Sequence, residues 1–272
     1  MASLSEGLRS FSAVIVTGGS SGIGKSFIGL IHSVNPGLHF CNLSRSEPAI
    51  KSAGLKLRHL AIDLARPADL PVAAAAVSAW LREEAPAGRV LLINNSGFGG
   101  YGRFPQPEVA HNLEMIDLNV RALVDLTGRL LPALQERGGA IINVASTAAF
   151  QPTPWMAVYG ATKAFVLHWS LALREELRPR GIEVLAVCPG PTGTQFFRRA
   201  GLRQGSVNPA LSLTSDEVAR QSLHALVNGR GLVVTGWKNK VGAALVSKLP
   251  KVFAAWLAAK VLARFRLKQV AP

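Results

Sequence analysis

Acidic residues stop early in this sequence. After Glu217 there is no Asp or Glu through Pro272, while ten Lys or Arg follow. That stretch therefore carries ten of the chain's +14 net charges and the first 217 residues only +4. No nucleic-acid recognition motif accompanies the basic run, so nucleic acid is not an expected partner. Cysteine is scarce: Cys41 and Cys188 sit in apolar runs and read as reduced core thiols, which excludes a disulfide framework. The six histidines are scattered without metal-ligand spacing, so zinc chemistry finds no support; His168 reads as a helix-face or subunit-contact residue. No apolar stretch reaches the roughly 18 to 20 uncharged residues of a membrane span, and the first motif begins too early, at Thr17, to follow a cleavable export segment. The expectation is a cytoplasmic protein that touches a membrane, if at all, peripherally. With 49% hydrophobic and 17% charged residues, disorder is also excluded.

What is present is an alternation of short β-like runs and longer helical segments. Strands are expected at Ala13–Thr17, His39–Ser44, Arg58–Ile62, Val90–Asn94, Ala140–Ala145, Glu183–Cys188 and Leu232–Val234, and helices near 22–33, 67–84, 108–136, 155–178 and 215–228. Several strand runs are almost continuously apolar, as strands become when helices cover both faces of a sheet. The order predicts an α/β fold: a doubly wound (Rossmann) parallel sheet of about seven strands over 1–236, ligand at the carboxyl ends of the strands, followed by a helical basic tail over 237–272. There are no internal repeats and no low-complexity linker.

Thr17-Gly18-Gly19-Ser20-Ser21-Gly22-Ile23-Gly24 follows the first strand and opens the first long helix. Glycines let the backbone approach a pyrophosphate closely, and the helix N-terminus offers it free N–H groups and a favourable dipole. Taken alone, a glycine-rich turn of this kind can be merely structural. Together with Asn94-Asn95-Ser96-Gly97, Ser146, Tyr159-x-x-x-Lys163 and Pro189-Gly190, the loop resembles the short-chain dehydrogenase/reductase family over roughly residues 10 to 235. The resemblance implies a nicotinamide-dependent oxidoreductase, assembled as a homodimer or homotetramer. The cofactor seat it implies comprises Gly18, Ser20, Ser21, Gly22, Ile23, Gly24, Ser44, Arg45, Asp63, Leu64, Asn95, Ser96, Gly97, Tyr159, Lys163, Pro189, Gly190, Thr192 and Thr194. Two departures stand out. Ser96 replaces the family's usual alanine, a small change, and Pro191 and Gly193 reshape the loop after Pro189-Gly190.

The second strand ends without a carboxylate and is followed by Arg45. An acid about twenty residues beyond the glycines would hold a ribose 2′-hydroxyl, whereas an arginine there accommodates a 2′-phosphate. NADP(H) is therefore the expected cofactor; Arg45 as a solvated loop residue and Glu47 nearby keep NAD open. Asp63 matches the family's adenine-contacting aspartate, or caps the turn that follows it.

Tyr159 and Lys163 lie four apart, on one helix face. Reducing a ketone needs a hydride on carbon and a proton on oxygen; the cofactor carries the first and the protein supplies the second. A free phenol has a pKa of about 10, and a neighbouring ammonium lowers it by favouring the phenolate. By resemblance Lys163 also reaches the nicotinamide ribose, Ser146 holds the substrate oxygen and Asn119 holds a relay water. A small hydrophobic ketone or alcohol is the expected substrate, with Phe98, Phe150, Trp155, Phe196 and Phe197 as candidate contacts and Tyr101, Phe104 and Met156 near them, although each aromatic alone fits packing equally well. The alternative function is a dinucleotide-sensing or scaffold protein that keeps the fold without turnover. In the tail, Phe253, Trp256, Leu257 and Val261 recur at helical spacing among Lys251, Lys260 and Arg264. This suits either an anionic membrane surface or packing over the cleft or against another subunit. Such a tail resembles those of family members acting on long-chain acyl or steroid substrates.

Overall fold

The computed structural model describes residues 3–106, 108–193 and 212–266, with side chains through Val261. Seven strands, β1 (Phe11–Thr17), β2 (His39–Ser44), β3 (Lys56–Ala61), β4 (Arg89–Asn94), β5 (Gly139–Val144), β6 (Ile182–Cys188) and β7 (Leu232–Val234), form one sheet in the order β3-β2-β1-β4-β5-β6-β7. Every neighbouring pair is parallel. The expected doubly wound sheet is thus the one observed, with strand boundaries shifted by one or two residues. The helices are α1 (Leu4–Leu8), α2 (Gly22–Val34), α3 (Asp69–Glu83), α4 (Val109–Ile116), α5 (Ala122–Arg137), α6 (Ala157–Leu177), α7 (Ser215–Val227), α8 (Trp237–Ser247) and α9 (Lys251–Arg266).

Alternation along the strands divides the core in two. Val14 and Val16 of β1 pack with Phe27, Ile28 and Ile31 of α2 and with Val218 and Leu223 of α7. Ala13 and Ile15, which alternate with them in sequence, face Leu70, Val77 and Trp80 of α3 and Leu126 and Leu130 of α5. Because helices cover both faces, neither side of the strand needs polar residues, and the apolar run follows. Helix boundaries follow local chemistry. Thr214 caps α7 in a reciprocal box with Glu217, and α6 gives way to a short 3-10 turn that ends at Gly181, whose φ of 71° lies in the left-handed region. The strand order reverses between β1 and β4, which opens a crevice at the carboxyl edge of the sheet, where the glycine loop, Ser146 and Pro189 all emerge.

One expectation is corrected. The single helix predicted over 108–136 is two helices joined by a π turn at Asp117–Arg121. The wide turn inserts a residue into the 3.6-residue repeat and centres on Asn119, whose side chain reaches across to the backbone of Phe98. Apolar periodicity continues on both sides, so it gives no sign of the break.

Helix α8 starts at Trp237, and the segment from there packs on the body through small residues. Ala243, Ala254 and Ala258 are buried, and Lys251 Nζ donates to the Phe150 carbonyl at 3.2 Å. Phe253 and Trp256 of α9 face outward instead, each about half exposed.

Candidate active site

The glycine loop is shaped by contacts to the segment after β4. Gly18 and Gly22 adopt left-handed φ angles of 70° and 54°, open to glycine without strain. Thr17 Oγ1 accepts from the main-chain N–H of Asn95 and of Ser96, both at 3.0 Å. The Asn95 amide donates to the carbonyls of Thr17 (3.0 Å) and Gly18 (3.1 Å). The two motifs therefore form one rigid platform at the N-terminus of α2, whose first residues carry no side-chain cap. A helix end presented in this way is a seat for an anion such as a pyrophosphate.

This platform floors a cavity of about 1070 Å³ running along the carboxyl edge of the sheet. Among the residues expected at a cofactor site, Gly18, Ser20, Ser21, Gly22, Ile23, Ser44, Arg45, Asp63, Leu64, Asn95, Ser96, Gly97, Pro189, Gly190 and Thr192 all line it, and so do Ser146, Tyr159, Lys163 and Phe98. Gly24 and Asn119 stand behind the wall. Asp63 also accepts from the Ala65 N–H at 3.1 Å, so it caps its turn as well as facing the cleft. Of the expected substrate contacts, Phe150 and Trp155 are not on the wall. Phe150 packs against the cluster around Val166 and Leu167, and its carbonyl accepts from Lys251. Trp155 packs beside Tyr159 and lies under the Arg103 guanidinium, 5.4 Å from its ring centre. Thr194, Phe196 and Phe197 lie outside the described residues.

Other wall residues are not singled out individually by the sequence, although Gln151 and Thr153 lie in the segment from Ala148 to Met156 that the sequence places beside the substrate. His111, Glu114 and Leu118 contribute one face of α4 and the π turn, Gln151 and Thr153 come from the loop after β5, and Gly242, Ala243, Val246 and Val261 come from the tail. The spacing of His111, Glu114 and Leu118, three and then four residues, was the available signal. Nothing in the tail's composition shows which of its faces meets the cleft.

Lys163 is almost wholly buried (5% exposed) and donates to the Val144 carbonyl at 2.8 Å. Desolvation is the main influence on it and pulls its pKa down from 10.5 to about 8, with Cys188 acting weakly in the other direction. It is therefore still an ammonium at neutral pH. Its charge lies 6.0 Å from the centre of the Tyr159 ring. Burial pushes the Cys188 thiol up to about 12, so this neighbour is neutral and unreactive. Cys41 and Cys188 are both free, as expected of core thiols.

Asn119 is tied on three sides. Oδ1 accepts from Phe98 N–H (3.1 Å), and Nδ2 donates to Phe98 O (3.0 Å) and Thr162 Oγ1 (3.1 Å). Thr162 in turn donates to the Tyr159 carbonyl at 2.8 Å, which links the π turn to the helix bearing Tyr159 and Lys163. Both amide hydrogens are used, and one lone pair of Oδ1 is left to receive a water. Ser146 Oγ accepts from Ala148 N–H at 3.1 Å, and among the described residues its hydroxyl proton has no acceptor, so it can donate into the cavity. Gly97 is required by close approach: a Cβ there would stand 2.8 Å from Asn119 Oδ1 and 3.4 Å from Lys163 Nζ. Gly97→Ala is accordingly expected to displace both groups and lower kcat/KM by about tenfold or more, measured by steady-state kinetics.

The short chain dehydrogenase family matches residues 12–204, and the chain belongs to it. Serine 3-dehydrogenase of Rhizobium radiobacter is 38% identical over 139 residues, 47% of this chain and 54% of that protein, so the chain spans about half the length of this curated relative. The uncharacterized oxidoreductase YbbO of Escherichia coli is 33% identical over 225 residues, 79% of this chain and 81% of that protein. Among solved structures, a short-chain dehydrogenase from Sphingobium yanoikuyae in complex with NADPH is 32% identical, covering 89% of this chain and 97% of that one with a TM-score of 0.72.

Proposed function

We propose that the protein is an NADP(H)-dependent oxidoreductase that interconverts a hydrophobic ketone and its secondary alcohol. The observation carrying this reading is that Ser146, Tyr159 and Lys163 share one continuous cavity with the glycine loop and with Arg45. The site fits the cofactor: the uncapped α2 end suits a pyrophosphate, and the β2 end offers an arginine and no carboxylate to a 2′-phosphate. That a family neighbour from Sphingobium yanoikuyae was solved with NADPH supports the same choice. When bound, the dinucleotide supplies the hydride.

The chain's own groups handle the oxygen. Ser146 donates a hydrogen bond to the carbonyl, which steadies the charge that develops there. Tyr159 delivers the proton. The Lys163 ammonium holds the ribose and favours the phenolate left behind, and Asn119 holds the water through which a replacement proton reaches it. Phe98, Leu118, Met156, Ala243, Val246 and Val261 give the cavity apolar walls, which suits an apolar substrate. NADPH oxidation followed across a panel of aliphatic and cyclic ketones tests this directly. Turnover of bulky apolar ketones is expected; tight NADPH binding without turnover of any of them would favour the sensing or scaffold role instead.

The tail is proposed to rest on an anionic membrane surface. Trp237, Val241 and Leu245 form an exposed stripe on α8, Val252, Phe253 and Trp256 are exposed on α9, and lysines stand among them. No helix among the described residues is long and apolar enough to cross a membrane. The family resemblance, rather than the tail, is the ground for also proposing a homo-oligomer. Co-sedimentation with phosphatidylserine vesicles is expected for the full chain and is expected to be lost in a Phe253→Asp, Trp256→Asp variant. Equal binding by both forms would contradict it.

A further inference from the structure

Strand β2 carries one residue that its place in the sheet does not explain. Asn42 lies between β1 and β3, paired with Val16 and His59, and is fully buried at 0% exposure. An interior strand covered on both faces is expected to be apolar, and a carboxamide there is costly unless it is bonded. Two of its three bonds lead to segments that line the cofactor cleft, and the third goes to His59 on the edge strand. The Gly19 N–H donates to Asn42 Oδ1 at 2.8 Å, and Asn42 Nδ2 donates to Ser44 Oγ at 2.8 Å and to His59 Nδ1 at 3.0 Å. The side-chain orientation follows from these partners. A main-chain N–H can only donate, so the atom facing Gly19 is the oxygen, and His59 Nδ1 then accepts. Ser44 passes the constraint on by donating to the Ser46 carbonyl at 2.8 Å, which closes the turn around Arg45. Gly19 is moulded to the contact as well, since a Cβ there would run into Asn42 Oδ1.

We propose that Asn42 is a positioning residue that holds the glycine loop and the Ser44–Ser46 turn in one register and thereby sets the preference for a 2′-phosphate. This deepens, and rests on, the NADP(H) reading. Residues on either side of Gly19, and Ser44, Arg45 and Ser46, line the same cavity, so one planar carboxamide bridges the seats of the pyrophosphate and the 2′-phosphate. The glycine loop has further anchors in Asn95 and α2, whereas the side chain of Ser44 ties the turn back to the sheet through Asn42. Arg45 is exposed and long, and a flexible guanidinium gains most from a phosphate when the turn beneath it is fixed. Loss of Asn42 therefore harms the arginine's end of the site more than the loop. A purely structural Asn42 would instead weaken NADPH and NADH by the same factor.

Fluorescence titration of NADPH and NADH against the full chain, alongside thermal melts, separates these cases. Asn42→Val is expected to lower the ratio of NADPH to NADH affinity by about tenfold, the size expected for a few lost hydrogen bonds. His59→Leu, at a half-buried position on the edge strand, is expected to lower it by about twofold and serves if Asn42→Val does not fold. Neither change is expected to lower the ratio further in an Arg45→Ala background, because both act through that arginine. A wild-type protein without preference for NADPH, or an Arg45→Ala variant that keeps it, overturns the NADP(H) reading and this proposal with it. A normal wild type and a normal Arg45→Ala response, with an unchanged ratio in the foldable Asn42 and His59 variants, overturn this proposal alone.

Discussion

Tyr159→Phe is expected to bind NADPH as tightly as the wild type and to lose turnover by about 100- to 10,000-fold, the usual contribution of a positioned acid or base. The Tyr159 ring is 8% exposed and packs in a cluster with Tyr101, Met115 and Met156, so phenylalanine fills the same space. What disappears is the hydroxyl alone. The Thr162 bond to the main-chain carbonyl of residue 159 is indifferent to the side chain, so the link from α6 to the π turn survives. Steady-state kinetics with an apolar ketone and a parallel NADPH titration check both halves of the expectation. A variant that turns over normally would remove Tyr159 from the mechanism.

Lys163→Met is expected to cut kcat/KM by about 100- to 1,000-fold, because it removes a positive charge from beside developing negative charge in a desolvated site. Its effect on stability should run the other way. The folded protein holds the lysine at a pKa of about 8 against 10.5 for a free side chain, chiefly because burial disfavours the ammonium. Between those two values the unfolded chain binds a proton that the folded chain does not, so wild-type stability gains from this group as pH rises from about 8 to 10.5. Activity moves oppositely: the ammonium is intact below about 8 and is lost above it, so kcat/KM falls as pH rises through that value. Lys163→Met removes this site's contribution to both trends. Its melting temperature at pH 7 should be no lower than that of the wild type, since no charge is buried. Calorimetric melts and pH–rate profiles of the two proteins provide the comparison. A variant that melts far lower, or a wild-type activity still rising above pH 9, would contradict the assignment.

Sequence and structure agree best where chemistry is local. The glycine loop, Arg45, Ser146 and the Tyr159–Lys163 pair could be placed because each motif sits at a strand end or a helix start, and the parallel sheet brings all such ends to one edge. Asn119 was recognised as a candidate, but the π turn that aims it was not, since a one-residue insertion leaves apolar spacing on either side undisturbed. Phe150 and Trp155 are absent from the cavity wall for a different reason. Phe150 packs into the cluster around Val166 and Leu167, and Trp155 packs behind the wall residues Tyr159 and Met156 without reaching the cavity itself. The tail was ambiguous because its alanines and its large apolar residues alternate at the same helical period. Only packing reveals that Ala254 and Ala258 face the body while Phe253 and Trp256 face out. Asn42 was invisible for the converse reason: one polar residue in an apolar strand carries no motif, and its meaning lies in partners at positions 19, 44 and 59.

The central claim is that hydride and proton meet at one substrate carbonyl inside this cavity. It is tested most directly with NADPH carrying deuterium on the transferring face of C4, incubated with the protein and a bulky apolar ketone. Mass spectrometry of the alcohol should find the label on its carbinol carbon, in amounts equal to the cofactor consumed. Alcohol lacking the label, or cofactor oxidised without any alcohol formed, would contradict it.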